Sequence, residues 1–583
     1  MTWLHRWIVD LFNALAAWYY RRKFGAAARQ LGRRPHPEEA GKRGFVIVEI
    51  DGLGYRYLRQ AMRAGAMPYL ARLITARRLR LARWRCGVPS TTPASQAGIL
   101  YGNNWDIPGF RWYDKRTGDS IMCKLPGTVR AIQERVSEGR TGLLRGGSSY
   151  TNMFDGDARL ALFTLSAMGR DRFFENVRGF GFLVLFALSP GRVLRVVGLS
   201  FWTWLVYVGK RAAAWVRARQ PVSHFTFLGP ILEIANNVIF REVTTFSVMM
   251  DIYRHMPAIY AAYTGYDEIA HHFGAGSSEA LRALRSLDTQ IRHIDRIRQT
   301  YTAREYDLYI LSDHGMTPSV PFRVAFGLSL EQFLAERTGQ QVHAGEEEGE
   351  DEGLPEQRVR FLVDEIRGLE ARRRGPIPAL LLQATRRRLE EELLAEALEA
   401  EWDLSRRGEI AVRSSGSLSH LYFEVTPRQM DLGEIALLYP QLLPDLVAHP
   451  GIGLVAGRDG EQTVLTSKQG TLWIGPEGER LEGEHPLADY EGVEWAVAQV
   501  VRLMRFPHAG DLVLLGTFDG ERVICFEDQI GSHGGLGGPQ TRPFFAYPAH
   551  VPLCVAEIEN AEEVYGQLKA IYGPPDNTPE ADQ

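Results

Sequence analysis

Three short, almost wholly apolar runs each lead straight into a carboxylate, and this pattern narrows the possible folds more than any other feature of the chain. FVIVEI (45–50) is followed by Asp51-Gly52-Leu53-Gly54, and YDLYIL (306–311) by Ser312-Asp313-His314-Gly315. PAIYAAYTGY (257–266) leads into Asp267 and continues EIAHHFG. Runs this apolar suit strands buried on both faces, as in a parallel sheet covered by helices. Helical patterns lie between them, so the expected class is α/β with a mostly parallel central sheet flanked by helices. Ligands in such sheets bind at the carboxyl ends of the strands. Asp51, Asp267 and Asp313 are therefore expected along one edge, although they are far apart in the chain. With 583 residues, 45% hydrophobic and 23% charged, the composition is that of a globular protein and excludes collagen-like and disordered classes. Lys+Arg of 67 against Asp+Glu of 70 leaves no basic excess, and no nucleic-acid partner is expected. Cys86, Cys123, Cys525 and Cys554 are too scattered for a disulfide framework or a thiolate zinc site.

Several segments read as additions to that sheet. In 1–42, Leu4, Trp7, Ile8, Leu11, Phe12, Leu15 and Trp18 follow helical spacing, closed by Arg21, Arg22 and Lys23. Such a helix can lie in a membrane interface or pack on the protein's own core. His5, Arg6 and Asp10 interrupt it and no cleavable signal is recognisable, which favours the cytoplasm or the cytoplasmic membrane face. The apolar region 179–208 is split by Pro190, Gly191, Arg192 and Arg195 into runs shorter than the ~20 residues a span needs. It reads as a hairpin dipping into one leaflet or buried beneath a lid, so 1–25 and 179–208 together suggest peripheral membrane contact. The stretch 343–357 reads as an acidic solvated loop and 358–407 as amphipathic helices.

The carboxylates come with histidines. Asp267 and His271, four residues apart, share one face of a helical turn. Mixed Asp and His donors suit zinc or a similar divalent ion. Two ions need about six protein ligands. Asp51, Asp267, His271, Asp313 and His314 supply five, and His533, set between glycines in Gly531-Ser532-His533-Gly534-Gly535, supplies a sixth. A hydroxyl completes the pattern. Ser90-Thr91-Thr92-Pro93, before a helix-forming run closed by Gly102, reads as a capped helix start, where phosphate is received well. A metal-activated hydroxyl there can act as a nucleophile.

Asp51, Thr91-Thr92-Pro93, Asp267-x-x-x-His271-x-x-Gly274, Asp313-His314-Gly315-Met316 and His533, in that order, resemble the alkaline phosphatase superfamily. Within it the pattern is most similar to the type I phosphodiesterase/nucleotide pyrophosphatase branch. The resemblance covers blocks at about 44–120, 255–320 and 510–550, and not the insertions. It implies an alkaline phosphatase-like core with inserted helical or cap subdomains. That core would occupy 43–330, with an apolar insertion at about 145–250, and resume at 505–556 after a cap region at 331–504; 557–583 would form a C-terminal helix and tail. It further implies two zinc ions, one held by Asp267, His271 and His533, the other by Asp51, Asp313 and His314 with Thr91 beside it as nucleophile. Ser90 and Thr92 remain alternatives for that role, with Thr92 otherwise touching substrate. The substrate implied is a phosphate diester or phosphoanhydride, attacked in line to give a phosphothreonine.

The chain departs from the branch where a phosphate-binding asparagine is expected. Trp112 stands near that place, so the role is vacant or moves to Asn103 or Asn104. After the proline come Ala94-Ser95-Gln96 in place of Asn-His. The competing readings are a phosphomonoesterase or phospho-group transferase of the same superfamily, and a metal-binding membrane scaffold without catalysis.

Overall fold

The computed structural model describes residues 43–168, 240–300, 304–344 and 410–573. The N-terminal segment 1–42, the apolar hairpin 179–208, the helices expected at 358–407, all but the start of the acidic loop and the end of the C-terminal tail lie outside the described residues.

A seven-stranded sheet forms the first layer, in the order Leu79–Arg83, Phe544–Pro548, Tyr306–Leu311, Gly44–Ile50, Ala258–Tyr263, Ser148–Tyr150, Leu160–Leu162. Its central strand, Gly44–Ile50, is buried along its whole length. It runs parallel to both neighbours, with Val48 opposite Ala261 on one side and Ile310 on the other. Only Phe544–Pro548 runs against its neighbours. The expected mostly parallel α/β sheet is therefore the observed one. Helices cover it by burying apolar stripes: Leu284, Leu287, Ile291 and Ile294 recur at helical spacing along Ser278–Thr300 and sit in the core. The Asp288 carboxylate on the same helix accepts from the N–H groups of Tyr69 (2.8 Å) and Leu70 (2.9 Å), capping the start of Pro68–Thr75. Helix Thr92–Tyr101 is buried on every side, and a Cβ on its Gly98 would stand 2.7 Å from Ala561 in the C-terminal helix Ala561–Tyr572.

Two expected boundaries move. The insertion placed at 145–250 begins with Ser148–Tyr150 and Leu160–Leu162, which are strands of the main sheet, and ends with helix Arg241–Tyr253 in the core. The region 331–504, read as a cap, contributes most of an eight-stranded sheet. Its order is Val342–Ala344, Ile410–Ser415, Leu418–Phe423, Leu512–Gly516, Ile452–Asp459, Gln462–Thr466, Gly470–Gly475, Gly478–Gly483. Leu512–Gly516, expected in the returning core, is a central strand of this second sheet. Its alternation explains the placement. Val513 and Leu515 pack with Trp495, Val500 and Leu503 of helix Val493–Met504. Leu512 and Leu514 pack on the other face with Leu330, Leu334, Ile435 and Leu442. A strand apolar on both faces must be covered twice, and the second sheet has helices on both sides to do so. Among the described residues, no helix is long and apolar enough to cross a membrane.

Candidate metal centre

The three carboxylates emerge from neighbouring strand ends. Asp51 follows Gly44–Ile50, Asp313 follows Tyr306–Leu311, and Asp267 lies in the first turn of helix Gly265–Phe273 after Ala258–Tyr263. Gly52 lets them converge. Its φ is +71°, its N–H donates to Asp313 Oδ1 (3.3 Å), and a Cβ there would stand 1.9 Å from Asp267 Oδ1. Strand Gly531–Ser532 pairs antiparallel with Thr317–Pro321, just beyond His314, and this delivers His533. The His533 and His314 rings stack with centroids 3.9 Å apart. Ser90 and Gly534 exchange backbone hydrogen bonds of 3.1 Å in both directions, so the hydroxyl-bearing loop is tied to the same histidine.

All three histidines are turned the same way. Nδ1 faces a backbone carbonyl in each: Gly531 for His271 (2.8 Å), Gly315 for His314 (2.9 Å) and Ser90 for His533 (2.9 Å). A carbonyl oxygen can only accept, so each Nδ1 carries a proton, and a ring in its neutral form keeps its lone pair on Nε2. Those Nε2 atoms converge. His271 Nε2 lies 3.2 Å from His533 Nε2 and 3.1 Å from Asp267 Oδ2. His314 Nε2 lies 3.5 Å from Asp51 Oδ1 and 3.4 Å from Asp313 Oδ2. With the rings neutral, lone pairs and carboxylates at such spacing repel one another unless a cation sits among them. Donors bound tetrahedrally to zinc at about 2.0–2.1 Å stand about 3.3 Å apart, which matches these separations. Donor atoms of Asp51, Asp313 and His314 lie within 4.8 Å of one another, as do those of Asp267, His314 and His533. The residues present thus fit two divalent ions, with His314 in reach of both groups. Orientation of each ring by a backbone carbonyl is the outer support that metal-binding histidines use.

Charge crowding is visible in the acidities. Burial would push the Asp267 carboxyl up, but His271 against it, with His533 and His314 behind, holds it below its ordinary range. Asp313 is raised by burial, with His314 opposing and the Asp267 charge adding to the rise. Burial, reinforced by His314, keeps His533 well below its usual value and hence neutral, the form that binds metal. Beneath the cluster lies a residue the sequence reading missed. Glu49 is fully buried, raised well above its ordinary value by burial and by Asp313, and accepts from Gln96 Nε2 (2.7 Å) and from the Tyr260 hydroxyl. A charged residue in mid-strand among FVIVEI was the available signal. Gln96, at the place where the family has Asn-His, points at this glutamate and at Met153 N (2.8 Å).

The three candidate hydroxyls have different surroundings. Ser90 Oγ is committed to the loop: it donates to Gly535 O (3.1 Å) and accepts from Gly534 N (3.0 Å). Thr91 is fully buried; its hydroxyl makes no capping bond and has no partner among the described residues. Thr92, partly exposed at the first position of its helix, places Oγ1 3.2 Å from His314 Nε2. Thr92 Oγ1 therefore touches the cluster directly, while Thr91 Oγ1 is left without a hydrogen-bond partner among the described residues in the same way as Asp267 Oδ1 and Asp313 Oδ2 of the cluster itself. Asn103 and Asn104 are not brought to it. They follow the far end of the ten-residue helix, about 15 Å from its start. Asn103 Nδ2 donates to Val136 O (3.1 Å) and Asn104 Nδ2 to Asn560 Oδ1 (3.0 Å), so both are spent on holding the helix in place. Trp112 is buried, at 1% exposure, in the short strand Arg111–Asp114.

Residues 233–463 match the family model described as type I phosphodiesterase/nucleotide pyrophosphatase. The family resemblance read from the motifs stands. The matched span contains Asp267, His271, Asp313 and His314; Asp51, Thr92 and His533 lie outside it and join the group through the fold. No curated protein matches the chain. Among solved structures, phosphonoacetate hydrolase from Sinorhizobium meliloti 1021 in complex with phosphonoformate is 15% identical with a TM-score of 0.44, covering 91% of this chain and 96% of that one. Murine ectonucleotide pyrophosphatase/phosphodiesterase 5 is 11% identical with a TM-score of 0.42, covering 92% and 97%.

Proposed function

We propose that this chain is a phosphodiesterase that works with two zinc ions and a threonine nucleophile. The reading is carried by one observation: three histidine Nε2 atoms and three carboxylates converge beside a hydroxyl at a helix start. Asp267, His271 and His533 would hold one ion, and Asp51, Asp313 and His314 the other. When bound, the ions would lower the pKa of the adjacent hydroxyl and offset charge on the phosphoryl group. Thr92 is the nucleophile in this reading because its oxygen touches His314, with Thr91, whose hydroxyl is as buried as Asp313 and His314 and has no partner among the described residues, as the alternative. The Thr92 oxygen forms a bond to phosphorus as the bond to the leaving alcohol breaks, and water then cleaves the phosphothreonine. The first turn of Thr92–Tyr101, whose first intrahelical bond is Ser95 N to Thr91 O (3.0 Å), presents N–H groups and a favourable dipole to the phosphate oxygens.

The test is elemental analysis of the purified full chain alongside turnover of bis-p-nitrophenyl and p-nitrophenyl phosphate, for wild type and Thr92→Ala. About two zinc ions per chain, preference for the diester, and loss of turnover with metal retained in the variant are the expected results. A chain that takes up no metal under zinc-replete conditions would overturn the reading. The proposal extends to a membrane-proximal substrate, supported by the apolar composition of 1–25 and 179–208. Sedimentation with anionic vesicles, lost on deleting both segments, tests that part separately.

A further inference from the structure

A cleft of about 330 Å³ opens between the two sheets, outside the metal cluster. One wall is Tyr55 and Arg56, at the start of helix Tyr55–Arg63, with Arg83 at the end of strand Leu79–Arg83; the opposite wall is Tyr490, Trp495 and Phe518 of the second sheet's side. The segment Leu536–Thr541, a few residues beyond His533, forms the floor, yet no residue of the metal cluster lines the cleft. The volume falls at the lower end of small-molecule sites, about 300–1,000 Å³.

The charges in the cleft do not cancel. Arg542 is paired with Glu491, and Asp489 accepts from Gln469 Nε2 (2.8 Å). Arg85 lies over the Trp495 ring at 4.7 Å and pairs with Glu559 (3.4 Å). Arg56 and Arg83, both exposed at the cleft, have no ion-pair partner among the described residues. Burial holds the Arg85 guanidinium below its ordinary value; Glu559 opposes this, and Arg542 and Arg83 add to it. Two unneutralised guanidinium groups beside aromatic faces form a mixed surface. Arginine recognises phosphate through its planar fork of donors, and aromatic rings take a second planar group by stacking.

We propose that this cleft is a second binding site, separate from the metal cluster, for a compound that joins a planar ring to a phosphate group. The ring lies against Tyr55 and Phe518, and the phosphate against Arg56 and Arg83. A nucleoside monophosphate is the simplest probe with both features. The experiment is calorimetric titration of the zinc-loaded full chain with AMP, adenosine and inorganic phosphate, repeated after EDTA treatment and with Arg56→Ala/Arg83→Ala. The expected result is one AMP site that survives metal removal, at least tenfold tighter for AMP than for adenosine or phosphate alone. It weakens at least tenfold in the double variant, whose bis-p-nitrophenyl phosphate turnover without AMP stays within twofold of wild type. AMP binding that disappears with the metal, or is indifferent to both arginines, would overturn the site. Phosphate binding as tightly as AMP would overturn the part assigned to the ring.

Discussion

Replacing Thr91 and Thr92 each by valine separates the two neighbouring hydroxyls with the least disturbance. Valine keeps the shape and the β-branching and deletes only the oxygen. At Thr91 the hydroxyl is enclosed, caps nothing and has no partner among the described residues. An unsatisfied buried hydroxyl costs about 1–3 kcal/mol, so Thr91→Val is expected to leave stability unchanged or raise it by up to that amount. At Thr92 the oxygen meets His314 Nε2 at 3.2 Å. Losing one such hydrogen bond costs about 1 kcal/mol net, and in a chain of this size moves the melting temperature by about 2 °C or less. The catalytic consequences run the other way. If Thr92 forms the phosphoenzyme, Thr92→Val loses at least about 1,000-fold in kcat/KM, equivalent to about 4 kcal/mol of transition-state stabilisation, while Thr91→Val stays within about threefold of wild type. The assay is bis-p-nitrophenyl phosphate hydrolysis at saturating zinc, with bound metal and denaturant-derived stability measured on the same preparations. An inactive, folded, metal-loaded Thr91→Val beside an active Thr92→Val would refute the reasoning and return the nucleophile to Thr91.

Further expectations follow from the surroundings of single residues. His420 is fully buried, donates from Nε2 to Pro108 O (2.8 Å) and accepts at Nδ1 from Gly510 N (3.0 Å); burial pulls its pKa down to about 4. The unfolded chain takes up the proton near pH 6.5 and the folded chain does not, so acidification from there to about pH 4 removes about 3 kcal/mol of stability through this group. Urea denaturation across that range, compared with His420→Gln, should show the variant's curve flatter by that amount. Gly52→Ala places a Cβ 1.9 Å from Asp267 Oδ1 on a backbone with φ of +71°. The left-handed conformation alone costs about 1–2 kcal/mol, and displacement of Asp267 is expected to weaken zinc binding at least tenfold in a chelator competition assay. Asn103→Ala should leave kcat/KM within twofold. Asn104→Ala should lower unfolding free energy by about 1 kcal/mol with activity retained, because it deletes the side-chain bond to Asn560 at the start of the C-terminal helix and keeps the backbone N–H bond to Glu562.

The convergence of the proposed metal ligands was legible because their signals are local and chemically unusual. An apolar run that ends in a carboxylate has to become a buried strand with its charge at the rim, and a shared sheet edge then gathers the carboxylates. The choice between Thr91 and Thr92 was not legible in the same way. It depends on which side of a helix start faces His314, a rotation of about 100° per residue that motif spacing does not fix. Asn103 and Asn104 failed for a related reason: distance along a helix cannot be seen as distance from a site until the helix is known to continue. The second sheet was hidden because Ile410–Ser415 and Leu418–Phe423 need partners such as Leu512–Gly516, about a hundred residues away, and pairing across that separation leaves no local pattern.

That second sheet does more than cover the core. The turn between Ile410–Ser415 and Leu418–Phe423 abuts the loop that carries His533. Gly416 has φ of +63°, and a Cβ there would stand 2.0 Å from His533 O. Ser417 N donates to that same oxygen (3.2 Å), and Gly416 N donates to Glu527 Oε2 (2.8 Å). Glu527 is in turn paired with the buried Arg111 (3.3 Å). His533 is therefore fixed from three directions: by Ser90 of the hydroxyl-bearing loop, by the strand beyond His314, and by the hairpin of the second sheet. Each contact uses backbone groups, which hold position without depending on long side chains. The proposed centre, assembled from segments as distant as Asp51 and His533, would need its last ligand placed to within a few tenths of an ångström. The two sheets meeting at this loop supply that placement, and the same meeting leaves the aromatic and arginine-lined cleft beside it.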